Sequence, residues 1–409
     1  MTVAELSERE LVARIQRRLP PAPGWLLVGI GDDAAVVEPE RNRVDVLTVD
    51  AIVEGIHFDR AFTPPNAIGH RALAVNLSDL AAMGAAPRLA LLSMALPPSL
   101  TVADFDAIAD GVAALAAAHR VHVAGGNLTR SPGPLMIDVT VSGTVKRRQT
   151  LTRKGAQPGD QVYVSGTIGA AAAGLARLRA VPSRKSAVPS QSQVASQSQV
   201  ASQPQVASQP QVASQPQVAS QPQAVSPETD STTDLRLATD SRSAADWRPA
   251  TDLRLETCDL LARACLWPTP RVRLGVLLAR TRAASACIDL SDGLADGVER
   301  IAEASGVGIA IDADALPIDP AARAQFEAGG EDAVAAALCG GDDYELLFTV
   351  RPRMRRRLRT VAQHGGVAIT RIGECTTDRA VVVRRSGSVV PMPDGFTHFA
   401  RLKGPRSGE

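Results

Sequence analysis

Gly29-Ile-Gly-Asp-Asp-Ala-Ala-Val-Val37 is the stretch on which the reading of this chain turns. Two glycines permit a sharp turn, two adjacent carboxylates follow, and an apolar run with β-branched residues fits a predicted strand over Val28 to Val37. A strand places Asp32 and Asp33 on opposite faces, so that one reaches a site while the other braces the loop. Taken alone, the stretch also reads as a turn with solvated acids. Recurrence favours the first reading. Acids on apolar flanks return at Asp50, at Asn76-Leu-Ser-Asp79, at Asp289-Leu-Ser-Asp-Gly293 and at Gly340-Gly-Asp-Asp-Tyr-Glu345. Carboxylates in such settings are costly unless a cation neutralises them, and Mg²⁺ is the usual agent where phosphates bind.

Composition narrows the classes. A chain of 409 residues predicts two or three domains, and 44 basic against 43 acidic residues leave no nucleic-acid footprint. No apolar run approaches eighteen residues, and Met1 to Arg18 is charged and helix-like, with neither a signal peptide nor a membrane span. The five cysteines (Cys258, Cys265, Cys287, Cys339 and Cys375) form no CxxC pair. Reduced thiols in a cytoplasmic protein are expected, and a structural zinc site is not.

Outward from the opening stretch, Ser7 to Leu19 has helical spacing and Asp45 to Val49 reads as a strand feeding Asp50. His57 lies in an apolar segment, where a histidine serves structure or function. Asn66 to Met83 is helical, and Asn76 and Asp79, three apart, share a face there, either as a polar stripe or presenting Asp79 to a metal. The strand Val121 to Ala124 runs into Gly125-Gly126-Asn127, a layout that brings backbone close to phosphate. Ala286 to Asp289 is a strand and Leu290-Ser-Asp-Gly293 opens a helix, so Ser291 and Asp292 read as helix caps or as part of a metal and phosphate site. Strands alternating with helices predict an α/β (α+β) architecture. Its domains are residues 1–148 and, together, 149–180 with 258–409. Between them, residues 181–257 carry a short Gln/Ser/Val/Ala repeat with too little apolar surface to offset ordering, and are predicted to be a disordered insertion.

The motifs GIGDDAAVV, LTVDAIVEGIHF, HRALAVNLSDLAAMGAAP, GGN, LTRKGAQPGD, DLSDGLADG, GGDDYELLF and GFTHF stand in one order over residues 5–180 and 258–400. As a set they resemble the thiamine-monophosphate kinases. The resemblance implies a two-domain fold like aminoimidazole ribonucleotide synthetase, with an N-terminal α/β domain forming a homodimer interface and a C-terminal α/β domain closing over the nucleotide. It also implies transfer of a phosphoryl group from ATP to thiamine monophosphate. Residue by residue, it implies Mg²⁺ ligands at Asp32, Thr48, Asp50, Asp79 and Asp289, a further ion at Asp292, and a backbone contribution from Val49. Gly126, Asn127, Arg153 and Ser291 fall at nucleotide contacts, and His57, Asp343 and Phe396 at positions facing thiamine. Asn127 departs from the family, which carries a metal-binding aspartate there, so this chain has one negative charge fewer.

The chemistry of the residues agrees with that reaction. A phosphate acceptor is already ionised and needs no general base; the difficulty is joining two polyanions, which carboxylate-held Mg²⁺ and an arginine address. No GxxxxGK[ST] loop is present to do this with a lysine. Two alternatives stay open. Another synthetase of the superfamily is one, either a purine-pathway synthetase or a selenophosphate synthetase; the latter would need a reactive cysteine or selenocysteine with a lysine near the N-terminus, and no cysteine precedes Cys258. A catalytically silent nucleotide-binding paralogue would trace to Asn127.

Overall fold

The computed structural model describes residues 1–180, 259–393 and 395. These belong to one compact unit spanning Met1–Lys185 and Asp252–Glu409. The insertion expected over 181–257 and the expected thiamine contact Phe396 lie outside the described residues.

Helix α1 (Glu8–Gln16) starts where Ser7 and Glu10 form a reciprocal capping box. The opening stretch is then corrected. In place of a strand over Val28 to Val37, strands β1 (Leu26–Val28) and β2 (Val36–Val37) pair antiparallel, and the acids occupy the turn between them. Gly31, at φ +119°, allows the chain to reverse there, which an L side chain resists.

Strand β3 (Val44–Val53) is longer than its pattern suggested and carries Asp50 within it. It is followed by α2 (Pro65–Ala82), β4 (Ala86–Leu96), α3 (Val102–His119), β5 (His122–Arg130) and β6 (Met136–Val145). The four strands form a sheet in the order β3-β6-β4-β5. Alternation decides its faces: Ile137, Val139 and Val141 are fully buried in the core with α2 and α3, while Leu47 and Val49 on the other face are 72% and 56% exposed. Gly126 lies inside β5, and a Cβ there would sit 1.8 Å from the Leu92 carbonyl oxygen. The close approach it permits is therefore to the neighbouring strand.

Helices α2 and α3 touch through glycine. A Cβ on Gly69 would lie 1.9 Å from the Ile108 carbonyl oxygen, and one on Gly111 would lie 2.0 Å from that of Asn66. Because the obstruction is backbone, Gly69→Ala is expected to destabilise the protein by at least about 1–3 kcal/mol in urea unfolding, despite the better helix propensity of alanine.

The second half holds β7 (Gln161–Ser165), α4 (Ala170–Ala180), α5 (Leu260–Leu266), α6 (Val272–Thr281), β8 (Ala286–Asp289), α7 (Leu294–Ser305), β9 (Gly308–Asp312), α8 (Pro320–Ala328) and α9 (Ala333–Cys339). Strand β10 (Leu346–Val350), α10 (Arg355–His364), β11 (Ile369–Thr376), β12 (Val381–Arg385) and β13 (Ser388–Pro391) complete it. Its sheet runs β13-β12-β9-β11-β7-β10-β8, antiparallel except for β12 beside β9. The two halves share a core in which Leu73 and Leu77 of α2 join Leu278 of α6 and Phe348 of β10. Gly275 on α6 lets this happen, since its Cβ would meet the Ala81 carbonyl oxygen at 2.0 Å. Helix α2 is consequently buried on nearly every side, and it carries the site.

Candidate active site

Two consecutive residues of α2 reach in different directions. Thr48 of β3 donates its hydroxyl to the Asp79 carboxylate at 2.5 Å, and Ser78 donates to the buried Asp289 at the end of β8 at 2.8 Å. A step of one residue turns about 100° around a helix, so Ser78 and Asp79 link the second half to the first. Between them lies a cavity of roughly 480 Å³, lined among others by Thr48, Asp79, Arg153, Lys154 and Asp289.

The electrostatics of this cleft are those of unneutralised acids. Asp289 is raised by burial and then by Asp79, against the Ser78 hydrogen bond and Arg153. Asp79 is raised by burial, against the Thr48 bond and Arg153. The Asp50 carboxyl keeps an open side, yet it is pushed up to about 6 by its partial burial and by Asp79, Asp138 and Asp292. Carboxylates that repel into protonation are the donor set a hard divalent cation fits, because its charge reverses that balance. Among the described residues, no group of three or more His, Cys, Asp and Glu side chains forms a cage for one ion.

The remaining expected residues fall in several places. Asp32 is exposed in the β1–β2 turn, where its carboxylate accepts the Asp33 N–H at 2.8 Å. Asn76 is fully buried and its amide donates to Ala72 of its own helix, so it does not act as a face-mate of Asp79. Arg153 and Lys154 line the cavity from an exposed loop. Ser291 and Asp292 are not the caps of α7: Gly293 holds that position, with no side-chain cap. Asp292 instead stands 3.7 Å from Arg300. His57 accepts the Val53 N–H on Nδ1 at 3.1 Å, closing the turn after β3. Asp343 is raised to about 7 by burial, and its oxygens accept the N–H groups of Gly169 and Ala171 at the start of α4, at 2.7 and 3.2 Å. Both side chains are engaged by backbone.

Gly126 and Asn127 are held apart from the cleft, while Val49, between Thr48 and Asp50 on β3, turns its exposed side chain to the open face. Thr48 and Asp50 point from the edge strand β3 toward α2, whereas Asn127 points from the opposite edge strand, β5, to the open face. Two strands intervene, about 14 Å across at the usual spacing, so these residues of a single chain do not meet at one ion.

Sequence reasoning missed Asp138, which acts on Asp50, and Arg71. Arg71, 5% exposed on α2, lies 2.6 Å from Asp342, donates to the Cys265 carbonyl at 3.0 Å and stands over the Tyr344 ring. A buried cation inside the HRALAVNLSD motif was the available signal, since arginine is seldom buried unpaired.

Comparison with known proteins accords with this architecture. Residues 31–145 match the model of the AIR synthase related protein, N-terminal domain, and residues 253–385 its C-terminal domain. The thiamine-monophosphate kinase of Escherichia coli K12 is 32% identical over 96% of this chain and 98% of its own length. That of Bacillus subtilis 168 is 30% identical over 91% and 93%. Among solved structures, thiamine-monophosphate kinase from Stenotrophomonas maltophilia K279a superposes with TM-score 0.68 at 34% identity, covering 92% of this chain and 96% of that one. AaThiL complexed with AMPPCP and TMP gives 0.62 at 28% identity, covering 98% and 99%. With two AIR synthase related domains and relatives aligned along nearly its whole length, the chain belongs to the thiamine-monophosphate kinase family.

Proposed function

We infer that this protein transfers the γ-phosphoryl group of ATP to thiamine monophosphate, giving ADP and thiamine diphosphate. The observation that carries the reading is the cleft where Asp79 and Asp289, each held by a hydroxyl, face Arg153 across the junction of the two halves. The acceptor phosphate arrives ionised, so no side chain has to remove a proton. What the chain does is position. Thr48 and Ser78 fix their carboxylates, and Arg153 places a positive charge beside incoming phosphate. Asp50, Asp79 and Asp289 are the carboxylates that would share Mg²⁺ with the phosphates, and the chemistry it would supply is neutralisation of phosphate charge. Among the described residues no helix is long and apolar enough to cross a membrane. Formation of ADP dependent on thiamine monophosphate tests the assignment; ATP binding without turnover would favour the silent paralogue.

The working unit in this proposal is a homodimer. Leu47, Val49, Leu91 and Met136 expose apolar surface on the open sheet face, and Asn127 lies at the wrong edge to serve the Asp50 of its own chain. A second copy packed on that face buries the patch and brings a β5 edge toward a β3 edge. Leu47→Glu is expected to turn the dimer into a folded monomer in analytical ultracentrifugation, with activity falling in step. A monomeric wild type of full activity would remove the partner from the site.

A further inference from the structure

The loop that leads into the second half is held more tightly than a connection requires. Its backbone closes around one hydroxyl. Ser305, the last residue of α7, accepts the N–H groups of Gly155 and Ala156 at 3.1 and 3.2 Å and donates to the Arg153 carbonyl at 3.2 Å. The Thr152 hydroxyl donates to the Lys154 carbonyl at 2.8 Å, and the Thr152 carbonyl accepts the N–H of Cys287 on β8 at 2.9 Å. Gly155 permits this close seating, because at φ +134° its Cβ would lie 2.3 Å from the Ser285 carbonyl oxygen. Both peptide units that flank Lys154 are therefore hydrogen-bonded, although the loop around it is exposed. The side chains left over are two cations. Arg153 and Lys154 both line the cleft, and Ala304, beside Ser305, makes the end of α7 one of its walls. Among the described residues neither cation forms an ion pair, even with Asp79 and Asp289 lining the same cavity.

We propose that Ser305 is a positioning residue that latches this loop, so that Lys154 contacts a phosphate group of the bound substrate beside Arg153. The assignment rests on the kinase reading of this chain and adds two residues to its site. An ammonium on a four-carbon stem offers three donors that follow a phosphate as it moves, whereas the planar guanidinium next to it fixes direction. A long side chain on a loose loop would lose backbone and rotamer freedom together on binding. With its two peptide units already bonded, Lys154 has only the side chain left to order, which favours binding by lowering that cost. The Ser305 hydroxyl is suited to the task because it uses both kinds of capacity, accepting two N–H groups and donating one bond. It lies behind the loop, joined to backbone, so its influence on a ligand passes through the loop.

Isothermal titration calorimetry on the full-length protein at fixed Mg²⁺ compares ATP with adenosine, and thiamine monophosphate with thiamine. The variants are Lys154→Met, Ser305→Ala and Ser305→Thr. Lys154→Met, at an exposed side chain, should weaken a phosphate-bearing ligand by about 10-fold and its phosphate-free counterpart by less than about twofold. Ser305→Ala should show the same selectivity at about 5-fold, the scale of one residue's lost ordering. Ser305→Thr, which keeps the hydroxyl, should recover most of that loss. Losses confined to ATP assign Lys154 to the donor's phosphates, and losses confined to thiamine monophosphate assign it to the acceptor's. Lys154→Met that binds every ligand as wild type does, or that weakens adenosine as much as ATP and thiamine as much as its phosphate, overturns the proposal. So does a folded Ser305→Ala with unchanged affinities, or a loss that Ser305→Thr shares. If Ser305→Ala does not fold, Lys154→Met still decides the phosphate contact. The kinase reading is judged apart, by wild-type ADP formation. Phosphate-selective losses without turnover keep the latched loop and remove the enzyme, while turnover without such losses keeps the enzyme and removes the loop.

Discussion

Asp79→Asn should abolish most phosphoryl transfer, by at least about 10²–10³-fold in kcat, while the protein stays folded and binds ATP less tightly at low Mg²⁺. The substitution keeps the size of the side chain and leaves Thr48 an amide oxygen in place of the carboxylate it now meets at 2.5 Å. Only the charge is lost. Fold stability should hold or rise slightly, because Asp79 is one of the acids that raise Asp50 and Asp289. Steady-state kinetics over a Mg²⁺ titration, with circular dichroism as a check on folding, decides the matter. Turnover near wild type at saturating Mg²⁺ would place Asp79 outside the metal and phosphate machinery.

Arg71→Met should cost about 1–3 kcal/mol in equilibrium urea unfolding, since it removes the guanidinium from the part-exposed Asp342 and leaves it the Tyr344 hydroxyl, at 3.0 Å, as its side-chain partner. The guanidinium ties α2 to the end of α5 and to the Gly340–Glu345 turn, where Asp342 and Tyr344 both hold left-handed backbone at φ +70° and +50°. That turn is otherwise held to the Leu290–Ser291 segment through the Asp342 and Tyr344 N–H groups, at 2.8 and 3.0 Å. Asp342→Asn introduced beside Arg71→Met should recover a good part of the loss, because asparagine tolerates left-handed backbone and leaves no unpaired charge. If the double variant were as unstable as Arg71→Met alone, packing of the arginine stem, and not its charge, would account for the effect.

Local signals carried the fold well. The helical spacing from Ser7 and the helix that carries Asn76 and Asp79 are each written within fewer than twenty residues, and the structure follows them. Where one residue's conformation decided the outcome, the pattern misled: Gly31 breaks what alternation reads as a strand, and β5 runs on through glycines that looked like its end. The cleft was half legible. Asp79 and Asp289 meet there as their acidic motifs suggested, but their distinct hydroxyl partners, the engagement of Asp343 by the start of α4, and Asp138 and Arg71 all depend on pairings across the tertiary fold. Spacing along a chain says nothing about which strand edge faces which helix. For Asn127 the resemblance supplied a role, and only strand order revealed that β5 lies at the far edge from Asp50.

The Ser78–Asp289 hydrogen bond joins residues 211 positions apart, and this bears on how the enzyme is made. A ribosome delivers α2 long before β8 exists, so a nascent N-terminal half shows solvent the apolar side of α2 that Gly275 and Leu278 later cover. The stretch of sequence between the halves, residues 181–258, adds synthesis time, during which the uncovered helix is a target for chaperones or for a second nascent chain. A fragment ending near residue 150 should therefore be poorly soluble alone and recover solubility when the C-terminal half is co-expressed.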